Sequence, residues 1–196
     1  MFDRNMQEHE YFLDKEFSGI DFSKERFIVA EYENCKFSKC VFSKVKFLES
    51  VFINCEFVNC DFVNSNISGT VFRDAQFSNC SLNGLQFDSC NQLLLSFSFI
   101  GCRLNISSFF RMKLHKTQFI KCEMVEVDFG RTDLSGSVFN ECDLSKAVFD
   151  NTNLSKCDFR KAYNYSIDPE NNKIDKAKFS AQGLMGLLNK YDIIVE

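Results

Sequence analysis

The chain has no tryptophan, one proline, two histidines and eight glycines among 196 residues. A single proline excludes a polyproline or collagen-like chain. Glycine is too sparse for a flexible linker, and no G-x-x-x-x-G-K loop is present to cradle a phosphate. Of the two histidines, His9 has no partner nearby in sequence, and His115 lies between Leu114 and Lys116 with no serine or cysteine nucleophile placed beside it by motif. No run of about 18 apolar residues offers a membrane helix. The first residues after Met1, Phe2 to Asn5, begin nothing like a secretory leader. The expectation is a cytoplasmic protein that is not an enzyme, with no catalytic, cofactor-binding or metal-binding residues, no small-molecule substrate and no membrane contact.

Phenylalanine and cysteine are present in excess, with 24 and ten residues. Between Cys35 and Phe62 a phenylalanine falls on every fifth residue: Phe37, Phe42, Phe47, Phe52, Phe57 and Phe62. A period of five fits neither a helix nor a strand, so it belongs to a repeat. The period runs from Phe12 through Phe17, Phe22, Phe27 and Tyr32, and beyond Phe62 through Ile67, Phe72, Phe77, Leu82 and Phe87. It resumes two residues out of phase at Phe99 and continues through Leu104, Phe109, Leu114, Phe119, Met124, Phe129, Leu134, Phe139, Leu144, Phe149, Leu154 and Phe159. The segment Asp88 to Ser98 therefore holds a two-residue insertion.

Cysteine invites a disulfide or zinc reading, and the repeat argues against both. Cys35, Cys40, Cys55, Cys60, Cys80, Cys90, Cys102, Cys122, Cys142 and Cys157 share one slot, two residues before a central position. Ala30, Ser65, Thr70, Ala75, Ser107, Thr117, Thr132, Ser137, Ala147 and Thr152 fill the same slot elsewhere. Any small side chain serves, as expected of a tight interior position. No C-x-x-C pair or Cys/His cluster has zinc spacing, and unpaired thiols imply a reducing compartment.

If each pentad forms one side of a square coil, twenty residues close a turn and residues twenty apart stack about 4.8 Å apart. Phe22, Phe42, Phe62 and Leu82 then form one interior column, and Phe37, Phe57 and Phe77 another. Cys40, Cys60 and Cys80 form a third, and Cys102, Cys122 and Cys142 a fourth. About eight coils make a rod about 40 Å long. Residues 1–14 read as an N-terminal cap and 15–179 as one solenoid. Its two register blocks are 12–89 and 97–161, with the slip near 88–98. In the segment 180–196, Ser180 caps a short helix carrying Leu184, Leu187 and Leu188, and Ile193 to Val195 form a strand. The one proline, Pro169, marks a loop.

The pieces CDFVN, TDLSG, CDLSK, TNLSK and CDFRK resemble the pentapeptide-repeat proteins, whose motif is A(D/N)LXX, and the resemblance covers about residues 12–179. It implies an all-β fold, a right-handed quadrilateral parallel β-helix, here with a short C-terminal α-helix and strand. In organisation the chain is similar to the Qnr and MfpA group, in which the C-terminal segment forms an end-to-end dimer. Members of that group bind DNA gyrase or topoisomerase IV and protect them from quinolones as mimics of duplex DNA. The alternative is a scaffolding repeat protein that binds another protein through its flat faces.

Two surfaces follow as candidates. Asp14, Glu31, Glu33 and Asp74, opposed by Arg73, and Asp128 and Asp150, continued by Asp168 and Glu170 and interrupted by Arg111 and Arg131, are the acidic residues expected to face a partner. Lys113, Lys116, Lys156, Lys173 and Lys176 give another face a positive balance. That face lacks arginine and interleaved aromatics, and the net charge is −4, so direct binding of nucleic acid is not expected. Phe179, Leu184, Leu187, Leu188, Tyr191, Ile193, Ile194 and Val195 form the expected dimer contact, an apolar end with an unpaired strand edge.

Overall fold

The computed structural model describes residues 10–191, 193 and 194. Eleven short strands carry the ladder: β1 (Glu10–Leu13), β2 (Glu16–Ser18), β3 (Ala30–Glu33), β4 (Lys36–Ser38), β5 (Val51–Ile53), β6 (Glu56–Val58), β7 (Val71–Arg73), β8 (Ala75–Ser78), β9 (Phe97–Ile100), β10 (Gln118–Ile120) and β11 (Val138–Asn140). All pair in parallel, in a four-stranded sheet β1-β3-β5-β7 and a seven-stranded sheet β11-β10-β9-β8-β6-β4-β2. The other two sides of the coil are joined by single bridges, such as Asp21↔Val41↔Asp61↔Ser81 and Ser108↔Asp128↔Val148. The result is a four-sided parallel β-solenoid. We number its faces in chain order, through Phe12, Phe17, Phe22 and Phe27.

Register follows the repeat. Phe17 pairs with Phe37 and Phe37 with Phe57, a step of twenty, whereas Ala75 pairs with Phe97, a step of 22. Val71 still bridges Asn91, so the two extra residues lie between Asn91 and Phe97. There Phe97 turns inward and packs against Phe72, with ring centroids 5.5 Å apart, while Leu93 and Leu94 are pushed outside, 66% and 68% exposed.

Each side is short because the chain turns a corner every fifth residue. Many corners adopt the left-handed conformation two residues after the central side chain, at Asn34, Lys39, Asn54, Asn59, Lys121 and Lys156 among others. Asparagine tolerates this conformation. Corner amides are tied to the next coil: Asn34 N donates to Ile53 O at 2.9 Å and Lys121 N to Asn140 O at 2.8 Å. Gly101 occupies one such corner, and a Cβ there would run into the Asn79 side-chain oxygen.

The lumen is filled by the central side chains. On the second face nine phenylalanines stack without a break, Phe17, Phe37, Phe57, Phe77, Phe99, Phe119, Phe139, Phe159 and Phe179, with centroids 4.8–5.4 Å apart and rings within 14° of parallel. The expected column Phe22, Phe42, Phe62 and Leu82 stands on the third face, where Phe22 and Phe42 stack at 5.1 Å and Phe42 and Phe62 pack at 4.8 Å with rings tilted by 31°.

The C-terminal segment departs from expectation. It forms 3₁₀ turns at Gln182–Leu187 and Asn189–Tyr191 rather than an α-helix. Gly183 and Gly186 lie flush on Tyr165, where a Cβ would strike the ring, its hydroxyl or the backbone carbonyl. Glycine at both positions also weakens an α-helix. Ile193 and Ile194 belong to no strand, and Val195 lies outside the described residues. Glu10–Leu13, expected within an N-terminal cap, pairs as a solenoid strand, and residues 1–9, His9 included, lie outside the described residues.

Candidate interaction surfaces

All ten cysteines are free and buried. Their slot does more than accept a small side chain. The thiol of Cys55 donates to Tyr32 O at 3.3 Å, that of Cys60 to Phe37 O at 3.3 Å and that of Cys157 to Leu134 O at 3.0 Å, each reaching the coil before its own. Hydroxyls do the same, Thr132 to Phe109 O at 2.6 Å and Ser137 to Leu114 O at 2.8 Å. Ser50 and Ser65, in the same slot, have hydroxyls without a partner. Burial pushes the Cys55 and Cys157 thiols up to about 12. Among the described residues no group of His, Cys, Asp and Glu side chains comes together as a metal would require.

The acidic residues divide between faces. Glu31 and Glu33 flank Tyr32 on the first face, and Asp14 lies on the corner beside them, its amide bonded to Glu33 O at 3.0 Å. The Tyr11 hydroxyl donates to Glu33 Oε2 at 2.6 Å. Its pKa is pushed up to about 12 by that bond first, then by desolvation and by the charges of Glu33, Glu31 and Asp14. Asp74 occupies the same corner three turns on, bonded to Ser96. Asp128 and Asp150 lie instead on the fourth face, in the other half of the rod. The Asp128 carboxylate accepts from Gly130 N at 2.7 Å. Asp150 accepts from Asn171 and Asn151, which hold its carboxyl below the usual range with help from Arg131. Asp168 and Glu170 are engaged by Lys190 at 2.7 and 2.6 Å, which lowers both carboxyls and pins the terminal turns to the preceding loop. The six residues form two groups on adjacent faces.

Sequence reasoning missed a cluster beside Asp128. Phe110 follows the central Phe109 and so points outward, with Arg111 Cζ 4.9 Å and Arg131 Cζ 5.9 Å from its ring centroid. The ring lies over Gly130, where a Cβ would approach it to 3.1 Å. The signal was two consecutive phenylalanines, the second of which the repeat does not place inside.

Of the expected dimer residues, Phe179 and Leu187 pack against the solenoid core. Leu188 is half-buried, and Leu184, Tyr191, Ile193 and Ile194 are exposed, Ile194 at 89%. Met185 adds to them. His115 contacts Ser135 Oγ at 2.8 Å and the Asp133 carboxylate at 3.4 Å on the next coil.

The coil just described has its counterpart among known sequences. The profile of the pentapeptide repeat region matches residues 25–109, and that of pentapeptide repeats in eight copies matches 122–160. The chain belongs to the pentapeptide-repeat family. No curated protein matches it in sequence. Among solved structures it is similar to two trypsin-treated forms of QnrB1, described as a plasmid-mediated fluoroquinolone resistance protein. One is 18% identical over 100% of this chain and 95% of QnrB1, with a TM-score of 0.74. The other is 16% identical over 95% and 100%, with a TM-score of 0.62. At these identities the likeness establishes a shared solenoid. Among the described residues of this pentapeptide-repeat protein, no helix is long and apolar enough to cross a membrane.

Proposed function

We propose that this pentapeptide-repeat protein is a non-catalytic, Qnr-like binder of DNA gyrase or topoisomerase IV that protects the enzyme from quinolones in the cytoplasm. The observation that carries the reading is the correspondence with QnrB1 along the whole solenoid, at nearly equal length. The unbroken aromatic column along the second face supports reading the solenoid as a continuous rod that would lie in a groove built for duplex DNA. Asp14, Glu31, Glu33, Asp74, Asp128 and Asp150 would stand in for phosphates against basic residues of such a groove. The exposed terminal side chains Leu184, Tyr191, Ile193 and Ile194 would join two rods end to end across a two-fold axis.

A second reading is favoured by one observation. The acidic residues divide between two faces and the first face turns basic in its second half, which suits a scaffold for a protein that does not read a uniformly negative rod. Gyrase supercoiling in the presence of ciprofloxacin separates the two. Qnr-like action restores supercoiled product at protein concentrations comparable to that of the enzyme. Neither rescue nor inhibition over a wide concentration range would leave the scaffold.

A further inference from the structure

We infer that the first face is a self-association surface on which a second copy of this chain lies antiparallel, related by a two-fold axis through the Leu93–Leu94 bulge. The inference does not rest on the topoisomerase reading, and it concerns a different surface from the C-terminal end. It gives Asp14, Glu31, Glu33 and Asp74 to a second copy, so the lateral pair and a complex formed through those acids exclude each other.

The first face is ordered along its length. Four turns centred on Phe12, Tyr32, Phe52 and Phe72 precede the insertion, and four centred on Leu114, Leu134, Leu154 and Ile174 follow it. The first half presents Asp14, Glu31, Glu33 and Asp74 against the single base Arg73. The second half presents Lys113, Lys116, Lys156, Lys173 and Lys176. Its two acids are partly engaged within their own chain. Asp133 accepts from Ser135 N and Asn153 Nδ2, both at 3.0 Å, and Asp175 lies 3.9 Å from Lys173. At the midpoint stand Leu93 and Leu94, the most exposed apolar side chains of the insertion.

A two-fold axis at that midpoint exchanges the halves turn for turn. Leu93 and Leu94 then meet their own copies. Asp74 falls opposite Lys116, Glu33 beside Lys156, and Asp14 opposite Lys176, with Lys113 and Lys173 in the same facing turns. Ile53 falls opposite Ser135, at the edge of the notch that Gly136 leaves between Lys116 and Lys156. Arg73, which falls opposite His115 between Lys113 and Lys116, is the mismatch in sign. The charges are complementary only when the two rods run in opposite directions, because parallel copies would set acid against acid and base against base.

The bulge supplies an independent reason. Leu94 is in the left-handed conformation, at φ 58°, and faces solvent. Leucine at such a site carries the backbone cost of the conformation and leaves its apolar area in water. Burial against a second copy offsets the latter.

Sedimentation velocity of the full chain tests the proposal. A charge-dominated lateral contact dissociates as salt rises from about 0.05 to about 1 M, whereas an apolar contact at the C-terminus persists. The double variant Leu93→Asn with Leu94→Asn should associate less, by about tenfold, without losing thermal stability, since asparagine tolerates the left-handed site. E33K should weaken association to a similar degree, and adding K156E to that chain, which completes a compensating pair across the axis, should restore it. Association that no salt concentration or first-face variant alters, or a wild-type chain monomeric throughout, would overturn the inference. So would failure of the compensating pair to rescue.

Discussion

Thr132 and Cys60 occupy equivalent slots and act alike, each donating to the carbonyl of a central phenylalanine on the preceding coil. The slot thus selects for a small side chain and rewards a donor. Thr132→Ala removes a buried hydrogen bond and a methyl group and should cost about 1 to 2 kcal/mol, while Thr132→Cys should cost less than about 1 kcal/mol, as read from urea midpoints. Cys55 and Cys157 make a second prediction, on pH. Their folded-state thiols ionise only near 12, whereas unfolded thiols ionise near 8.5, so the unfolded chain releases these protons first. Their contribution is complete below about pH 8.5 and declines as pH rises towards 12. Cys157→Thr should flatten the fall in urea midpoint above pH 9, and an unchanged slope would contradict the assignment. That these cysteines fill space was legible in the sequence, since alanine and serine recur in their slot. The thiol–carbonyl bond was not, because Ala30 and Ala75 fill the same slot without a donor.

At the scale of the coil side, the in-and-out alternation and the stacking columns follow from the period of five alone. The corners were less legible. Lysine, asparagine, glycine and glutamate all occupy them, and that mixture reads simply as polar surface until φ is known. Ile106 sits at such a corner with φ 61° and 66% exposed, a β-branched residue where asparagine or glycine is common. Ile106→Asn should raise stability by about 1 kcal/mol in chemical denaturation, and a loss would mean that the side chain makes a contact its exposure does not suggest. The terminal turns were misread as an α-helix for a related reason. Leu184, Leu187 and Leu188 have helical spacing, but the fit of Gly183 and Gly186 against Tyr165 is a tertiary contact that no local pattern announces.

Over the whole molecule, the period tells which residues face solvent, whereas the face each one occupies requires counting in twenties and correcting for the slip between Asn91 and Phe97. That counting places Asp128 and Asp150, read in the sequence as a second acidic run, on a different face from Glu31 and Glu33. The same counting brings Lys113, Lys116, Lys156, Lys173 and Lys176, expected on another face than the acids, onto the first face, which has an acidic half and a basic half about a leucine waist. Phe110, gripped by Arg111 and Arg131, shows that the fourth face is mixed as well. On the proposed function this rod would engage gyrase through its faces. The most direct test of this is sedimentation velocity of the protein with intact gyrase, alone and with a competing linear DNA duplex. The account predicts a complex at micromolar concentration from which duplex DNA displaces the protein; no co-sedimentation, or a complex indifferent to added DNA, would contradict it.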